Sequence, residues 1–279
     1  MTFPRTAINE RGSYGSDWAR FSNWRLVRPP NRPSEPQLTV IGKALSSLSS
    51  HAVVGVLGST VEFRDLLAQH QVQTVVFEKS AAFHTSIEDQ RRYRGVEHVV
   101  WGDWLNTLSQ WRGRLDAILS DLTSGNICYQ DRESFYDLIY CALRPGGLFV
   151  DRVLKSPERP LRLSELDQKY VHRSLSLETL NEFSAEYLFL SELVEDAQVV
   201  DSTRFYEILQ SRSTHTHLVR LARCCELITP RGFMWYYGKP LTQPETTFGV
   251  PFRVVTEIPE SPPSVYSGHA VQYVLEKPG

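Results

Sequence analysis

Between residues 50 and 155 the chain alternates short apolar runs with longer amphipathic stretches. The apolar runs are 52–57 (AVVGVL), 72–77 (VQTVVF), 96–101 (VEHVVW), 115–119 (LDAIL) and 148–153 (LFVDRV). Runs this short, rich in β-branched residues and bounded by polar turns, read as strands. Residues 62–69, 86–93 and 133–143 lie between them and read as helices, the last (ESFYDLIYCAL) by its periodicity. Arg144-Pro145-Gly146-Gly147 marks a stop before the fifth run. Strands alternating with helices at this interval predict βαβ units and a doubly wound, mostly parallel α/β sheet. In such a sheet ligands gather beyond the carboxyl ends of the strands, so strand-end residues become site candidates.

The rhythm breaks outside this region. Residues 157–248 carry a mainly helical pattern, with apolar periodicity over 163–170, 177–194, 205–209 and 218–228. Strand-like runs return at 252–258 and 270–275, joined by a proline-rich turn over 259–263. Near the start, Tyr14, Trp18 and Phe21 share the i, i+4, i+7 spacing of one helix face, and Pro29, Pro30, Pro33 and Pro36 predict an extended linker. The expected organisation is a lid helix and linker over 1–45, a core over 46–155 and 249–279, and a mainly helical substrate-cap insertion over 156–248.

Composition narrows the classes. No apolar run approaches the roughly 20 residues needed to span a bilayer, and residues 1–24 lack the apolar segment of a signal peptide. The expectation is a cytoplasmic protein with no membrane partner. Thirty basic against thirty-two acidic residues leave a net charge of −2, which argues against a nucleic-acid partner. Four cysteines show neither a disulfide framework nor zinc spacing, and His215 and His217, two apart, do not share a helix face. No metal site is expected. Oligomeric state is not legible.

The strand ends hold the candidate chemistry. Gly58 follows the first strand, where a glycine permits close backbone approach and the next helix N-terminus favours an anionic group. Ser59 and Glu62 fit an S-x-x-E capping box. Glu78 ends the second strand, where a carboxylate can accept hydrogen bonds from ribose hydroxyls. Gly102-Asp103-Trp104 follows the third, pairing a carboxylate with an indole face suited to a purine. Ser120-Asp121-Leu122-Thr123-Ser124-Gly125-Asn126 forms a polar loop after the fourth. Each has a plain structural alternative: a helix cap at 59–62, a solvated turn at Glu78, a core tryptophan beside a capping aspartate, and a polar turn at 120–126.

Taken in order, these features resemble the class I S-adenosylmethionine (SAM)-dependent methyltransferases. The resemblance extends to a subgroup with a Leu-Gly-x-Thr-x-Glu first motif, here Leu57 to Glu62, and a Gly-Asp-Trp third motif, here Gly102 to Trp104. Leu143-Arg144-Pro145-Gly146-Gly147-Leu148 is similar to the family's segment before strand five, and Tyr273-Val274-Leu275-Glu276 to its antiparallel last strand. The likeness covers roughly residues 50–155 and the last 30. It implies a Rossmann-like methyltransferase fold with SAM as cofactor. Gly58, Ser59 and Thr60 would border the methionine part, Glu78 with neighbouring Lys79 the ribose, and Asp103 and Trp104 the adenine. Asp121 and Leu122 would lie near the amino group or the methyl face, with Asp121 orienting the acceptor. The chain departs from the family in its first motif: the usual acid two positions before the first glycine is Val56, and the later glycines are Thr60 and Glu62.

The enzyme expected is a methyltransferase for a small, partly apolar organic acceptor, with 233–237 (FMWYY) either lining an apolar pocket or forming a core strand of the insertion. A SAM- or nucleoside-binding protein without catalysis and a nucleic-acid methyltransferase are the alternatives. A nicotinamide-dependent oxidoreductase would require a G-x-G-x-x-G turn that the sequence lacks.

Overall fold

The computed structural model describes residues 24–155, 157–193, 199–212, 215–236 and 251–279. The helix expected on Tyr14, Trp18 and Phe21 lies outside them, as do Val194 and Tyr237. A seven-stranded mixed sheet forms the core, built from β1 (Val53–Leu57), β2 (Gln73–Glu78), β3 (Glu97–Trp101), β4 (Leu115–Asp121), β5 (Leu143–Leu154), β8 (Arg253–Pro259) and β9 (Ala270–Glu276). Its order is β3-β2-β1-β4-β5-β9-β8. The first five strands are parallel, while β9 runs antiparallel to both β5 and β8. The doubly wound, mostly parallel sheet with an antiparallel last strand is therefore present, and its order reverses between β1 and β4.

Helices cover both faces, so the central strands are apolar throughout rather than alternating. On one side α1 (Glu35–Leu45) and α2 (Val61–Gln69) pack Ile41, Leu45, Phe63 and Leu67 against Val54, Val56, Leu119 and Val150. On the other, α5 (Tyr129–Ala142) buries Phe135, Tyr136 and Ile139 against Leu57, Phe77, Ile118 and Phe149. Two short helices, α3 (Ala81–Ile87) and α4 (Trp104–Thr107), follow β2 and β3.

Three local expectations change. The proline segment does not extend as a linker to residue 36. Ser34 starts α1, its amide donating to the Gln37 side chain at 2.8 Å, and Pro36 sits in the first turn, where a missing N–H costs no helical bond. The helix expected over 86–93 starts earlier, as α3, and ends in a 3-10 turn over Glu88–Gln90. Arg144 to Gly147 does not stop the chain before a strand but lies inside β5, at a register shift against β4. A Cβ at Gly147 would stand 2.8 Å from the Arg144 carbonyl oxygen, which explains glycine there.

The region after β5 has its own core. Helices α6 (Leu163–Tyr170), α7 (Leu177–Ala185), α8 (Ser202–Arg212) and α9 (Thr216–Cys225) bury Leu166, Tyr170, Phe183, Tyr206 and Leu221 together. The long periodicity expected from 177 divides at Ala185 into a helix and a π-helical turn, Glu186–Leu190. A two-stranded antiparallel ribbon, β6 (Val199–Asp201) with β7 (Met234–Tyr236), adds to the helices. No helix among the described residues is long and apolar enough to cross a membrane.

Candidate functional site

The carboxyl ends of β1, β2, β3 and β4 open into one cavity. Gly58, Ser59, Thr60, Glu78 and Lys79 line it from the first two strands, and Asp103, Trp104, Asp121 and Leu122 from the next two. All nine strand-end candidates are thus brought together.

At the β1 exit Gly58 takes φ +82, a left-handed conformation open to glycine at little cost. Its amide donates to the Phe77 carbonyl at 2.9 Å, and the Trp104 indole N–H donates to the same oxygen at 2.9 Å. One carbonyl thus fixes both the turn and the indole. The capping box does not form: Thr60, not Ser59, holds the cap position of α2 and its side chain makes no cap bond. The Ser59 hydroxyl instead lies 2.8 Å from His84 Nδ1, and Glu62 pairs with Arg32. His84 therefore has a supporting position beside the turn; burial and the Arg64 guanidinium hold its imidazole below the usual range. His217, whose Nε2 lies 2.8 Å from the Arg173 carbonyl, is also structural.

Glu78 is buried, and the Ser80 amide donates to its carboxylate at 2.7 Å. Burial raises its pKa above the ordinary carboxylate value, against hydrogen bonds from Ser80, Ser59 and Lys79. Asp103 caps α4 through Leu105 N at 3.0 Å and meets Lys79 Nζ at 3.3 Å. Their side chains are 39% and 33% exposed, so this bridge aligns the rim more than it stabilises the fold.

Asp121 is not the free carboxylate that an acceptor-orienting role implies. Both its oxygens accept from Arg152, at 2.6 and 3.2 Å, and Arg152 also donates to the Pro30 carbonyl at 2.8 Å and meets Glu260 at 3.4 Å. Burial raises the Asp121 pKa, with Arg152 opposing. Arg32 and Glu62 belong to the same electrostatic neighbourhood. Three carboxylates thus face two guanidiniums, leaving one excess negative charge when all are ionised. Leu122 takes φ 55 and turns the chain into the 3-10 segment Thr123–Asn126.

The opposite wall is aromatic, and the sequence marks its Trp235 and Tyr236 but not Phe189 or Tyr266. Trp235 and Tyr236 of β7 line it with Phe189, so the ribbon is both a core strand and a pocket wall. The Phe189 ring meets Trp235 edge-on at 5.3 Å and Tyr266 at 6.3 Å. Arg132 Nη2 ties the wall to the β4 loop, donating to the carbonyls of Ser124 at 3.0 Å and Tyr236 at 2.9 Å. Trp24, Val27 and Asn31 form a strap across the cavity, held by buried Asn181. Its Oδ1 accepts from Arg28 N at 2.9 Å, and its Nδ2 donates to the Leu26 carbonyl at 3.0 Å. Among the described residues no cluster of three His, Cys, Asp or Glu side chains has the placement of a metal site.

No protein-family model matches the chain, and no curated protein matches it by sequence. Solved structures do match in fold. A Rhodobacter sphaeroides protein provisionally described as a Zn-dependent alcohol dehydrogenase is 13% identical, covering 95% of this chain and 98% of its own, with a TM-score of 0.60. A SAM-dependent methyltransferase from Methanosarcina mazei is 9% identical, with coverage of 85% and 97% and a TM-score of 0.51. A protein provisionally described as an S-adenosylmethionine-dependent methyltransferase from Listeria monocytogenes is 11% identical, with 87% and 99% covered and a TM-score of 0.51. Identities this low carry the fold alone. The sheet order and its antiparallel pair make that fold the class I SAM-dependent methyltransferase fold.

Proposed function

We propose that this chain is a SAM-dependent methyltransferase acting on a small, partly apolar organic acceptor. The observation that carries the reading is the convergence of four strand ends and an aromatic wall on one cavity. The donor set suits the cofactor. Buried Glu78 stands where a ribose would need hydrogen-bond acceptors, and Lys79 flanks it. Asp103 and the fixed Trp104 indole offer an edge partner and a face for adenine. Gly58, Ser59 and Thr60 border the methionine part. The excess negative charge around Asp121 suits a ligand bearing an ammonium and a sulfonium, and compensates for Val56 in place of the usual motif acid.

When bound, SAM supplies an activated methyl on a cationic sulfur. The protein's share is then mainly to hold the acceptor in line and exclude water. Leu122 and the 123–126 turn also line the cavity and so help to shape it. The insertion over 156–248 acts as the substrate cap and the strap that carries Trp24, Val27 and Asn31 as the lid, whereas residues 35–45, expected in the lid segment, cover the sheet as α1. Asp121 acts through its charge rather than as a base, because Arg152 occupies its oxygens.

Glu78→Ala and Asp103→Ala are each expected to weaken SAM binding by about 1–3 kcal/mol, since each removes hydrogen bonds from a charged partner. Both variants should remain folded. Calorimetry with SAM and its demethylated product checks this; parent-like affinity in both variants would discard the site assignment. A silent SAM-binding protein is the second reading, favoured by Val56 in the first motif. Tight binding with no methyl transfer across a broad acceptor panel would select it.

A further inference from the structure

The cavity divides sharply by charge. Every charged side chain lining it, namely Glu78, Lys79, Asp103 and Asp121, comes from the strand ends. The half formed by the strap and the insertion has none among the described residues. Its ring-bearing wall, Phe189, Trp235 and Tyr266, is a connected aromatic chain, backed by Phe233 stacked on Trp235 at 5.6 Å.

Several polar groups of that half, on Asn31, Tyr266 and Thr229, are engaged within the protein. Asn31 Nδ2 donates to the Asn181 carbonyl at 3.1 Å, and Asn31 Oδ1 accepts from the Tyr266 hydroxyl at 3.0 Å. The Thr229 hydroxyl lies 3.0 Å from that of Ser184, and the Thr229 carbonyl accepts from Tyr206 at 2.7 Å. A charged ligand group placed there would lose its hydration without gaining a counter-ion. An aromatic wall can hold a cation by itself, but among the described residues the carboxylates nearest these rings, Asp121 and Glu260 beside Tyr266, are both paired with Arg152.

We infer that this half of the cavity takes an uncharged, ring-bearing hydrophobic molecule, recognised by apolar contact and shape rather than by hydrogen bonds or charge. Resting on the methyltransferase reading, this assigns the acceptor's class: a neutral ring compound that enters between the strap and β7. Trp235 and Leu154, both lining the cavity, set its fit.

Three naphthyl probes that differ in charge test it at neutral pH: 2-naphthol, 2-naphthoate and 2-naphthylmethylammonium, titrated calorimetrically with and without S-adenosylhomocysteine. The neutral probe should bind about tenfold or more tighter than either charged one. Trp235→Ala, which removes ring contact, and Leu154→Trp, which fills the space, should each weaken it by about tenfold. If Trp235→Ala fails to fold, Leu154→Trp decides. A charged probe binding as tightly as 2-naphthol, no binding of 2-naphthol, or parent-like affinity in the folded variants would overturn the inference. The two readings fail separately. Preference for 2-naphthol without affinity for S-adenosylhomocysteine removes the methyltransferase reading and keeps the neutral site; the reverse result keeps the enzyme and removes the neutral site.

Discussion

Relative to the parent chain, Asp151→Asn should gain about 2–4 kcal/mol of unfolding free energy as the pH is raised from 4 to 8. Asp151 lies on β5, fully buried, opposite Ser120 of β4 and Tyr273 of β9. Among the described residues neither carboxylate oxygen meets hydrogen-bond geometry, although the Ser120 hydroxyl stands close enough to favour the charged form. Burial, with Asp121 nearby, pushes its pKa up to about 7, and Ser120, Arg132 and Arg152 offset only part of this. The sign follows from proton counting. Below the unfolded value near 3.8, both states hold the proton and there is no penalty. Between that value and about 7 the unfolded chain releases it while the folded one keeps it, so stability falls as pH rises. Above about 7 both are ionised and the penalty is constant. Asparagine cannot ionise, so its benefit appears across that window, whatever fixed cost its amide adds. Urea unfolding of both proteins at pH 4, 6 and 8 measures the divergence; parallel stability profiles would refute it.

Arg152→Met should cost about 3–5 kcal/mol, because it strands buried carboxylates without their cation. Arg152 is itself 2% exposed and joins Asp121, Glu260 and the strap carbonyl of Pro30. The methionine stem replaces its packing but none of its charge. Adding Asp121→Asn to Arg152→Met should recover part of the loss, since one stranded charge disappears. Chemical denaturation of the two variants tests both statements. A single variant within about 1 kcal/mol of the parent would show that the cluster contributes little net stability.

Much of the core sheet was legible because parallel central strands are buried on both faces and therefore spell continuous apolar runs. The strand-end candidates followed from topology: once β1 to β4 are placed, Gly58, Glu78, Asp103 and Asp121 must emerge at one edge. What stayed hidden depends on contacts distant in the chain. Nothing local at Asn181 marks it as the clamp of residues 26–31, and nothing at Tyr266 announces its bond to Asn31, 235 positions away. The sequence read Asp121 as orienting the acceptor, because its partner, Arg152, lies on the neighbouring strand. Ser59 and Glu62 satisfied a capping pattern, yet His84 and Arg32 offered those side chains other partners. The proline-rich segment misled differently: Pro36 inside a first helical turn is permissible, but proline clusters usually read as extended chain.

The indoles of Trp24, Trp104 and Trp235 all face the cavity, half of the six tryptophans in the chain. They occupy different parts of it, on the strap, on the sheet side and on β7. Occupancy should therefore register in the protein's intrinsic emission without any added dye. Single Trp→Phe replacements would then separate the signal of a nucleoside arriving beside Trp104 from that of a ring compound arriving beside Trp235, so the order in which two ligands enter becomes readable in a stopped-flow trace.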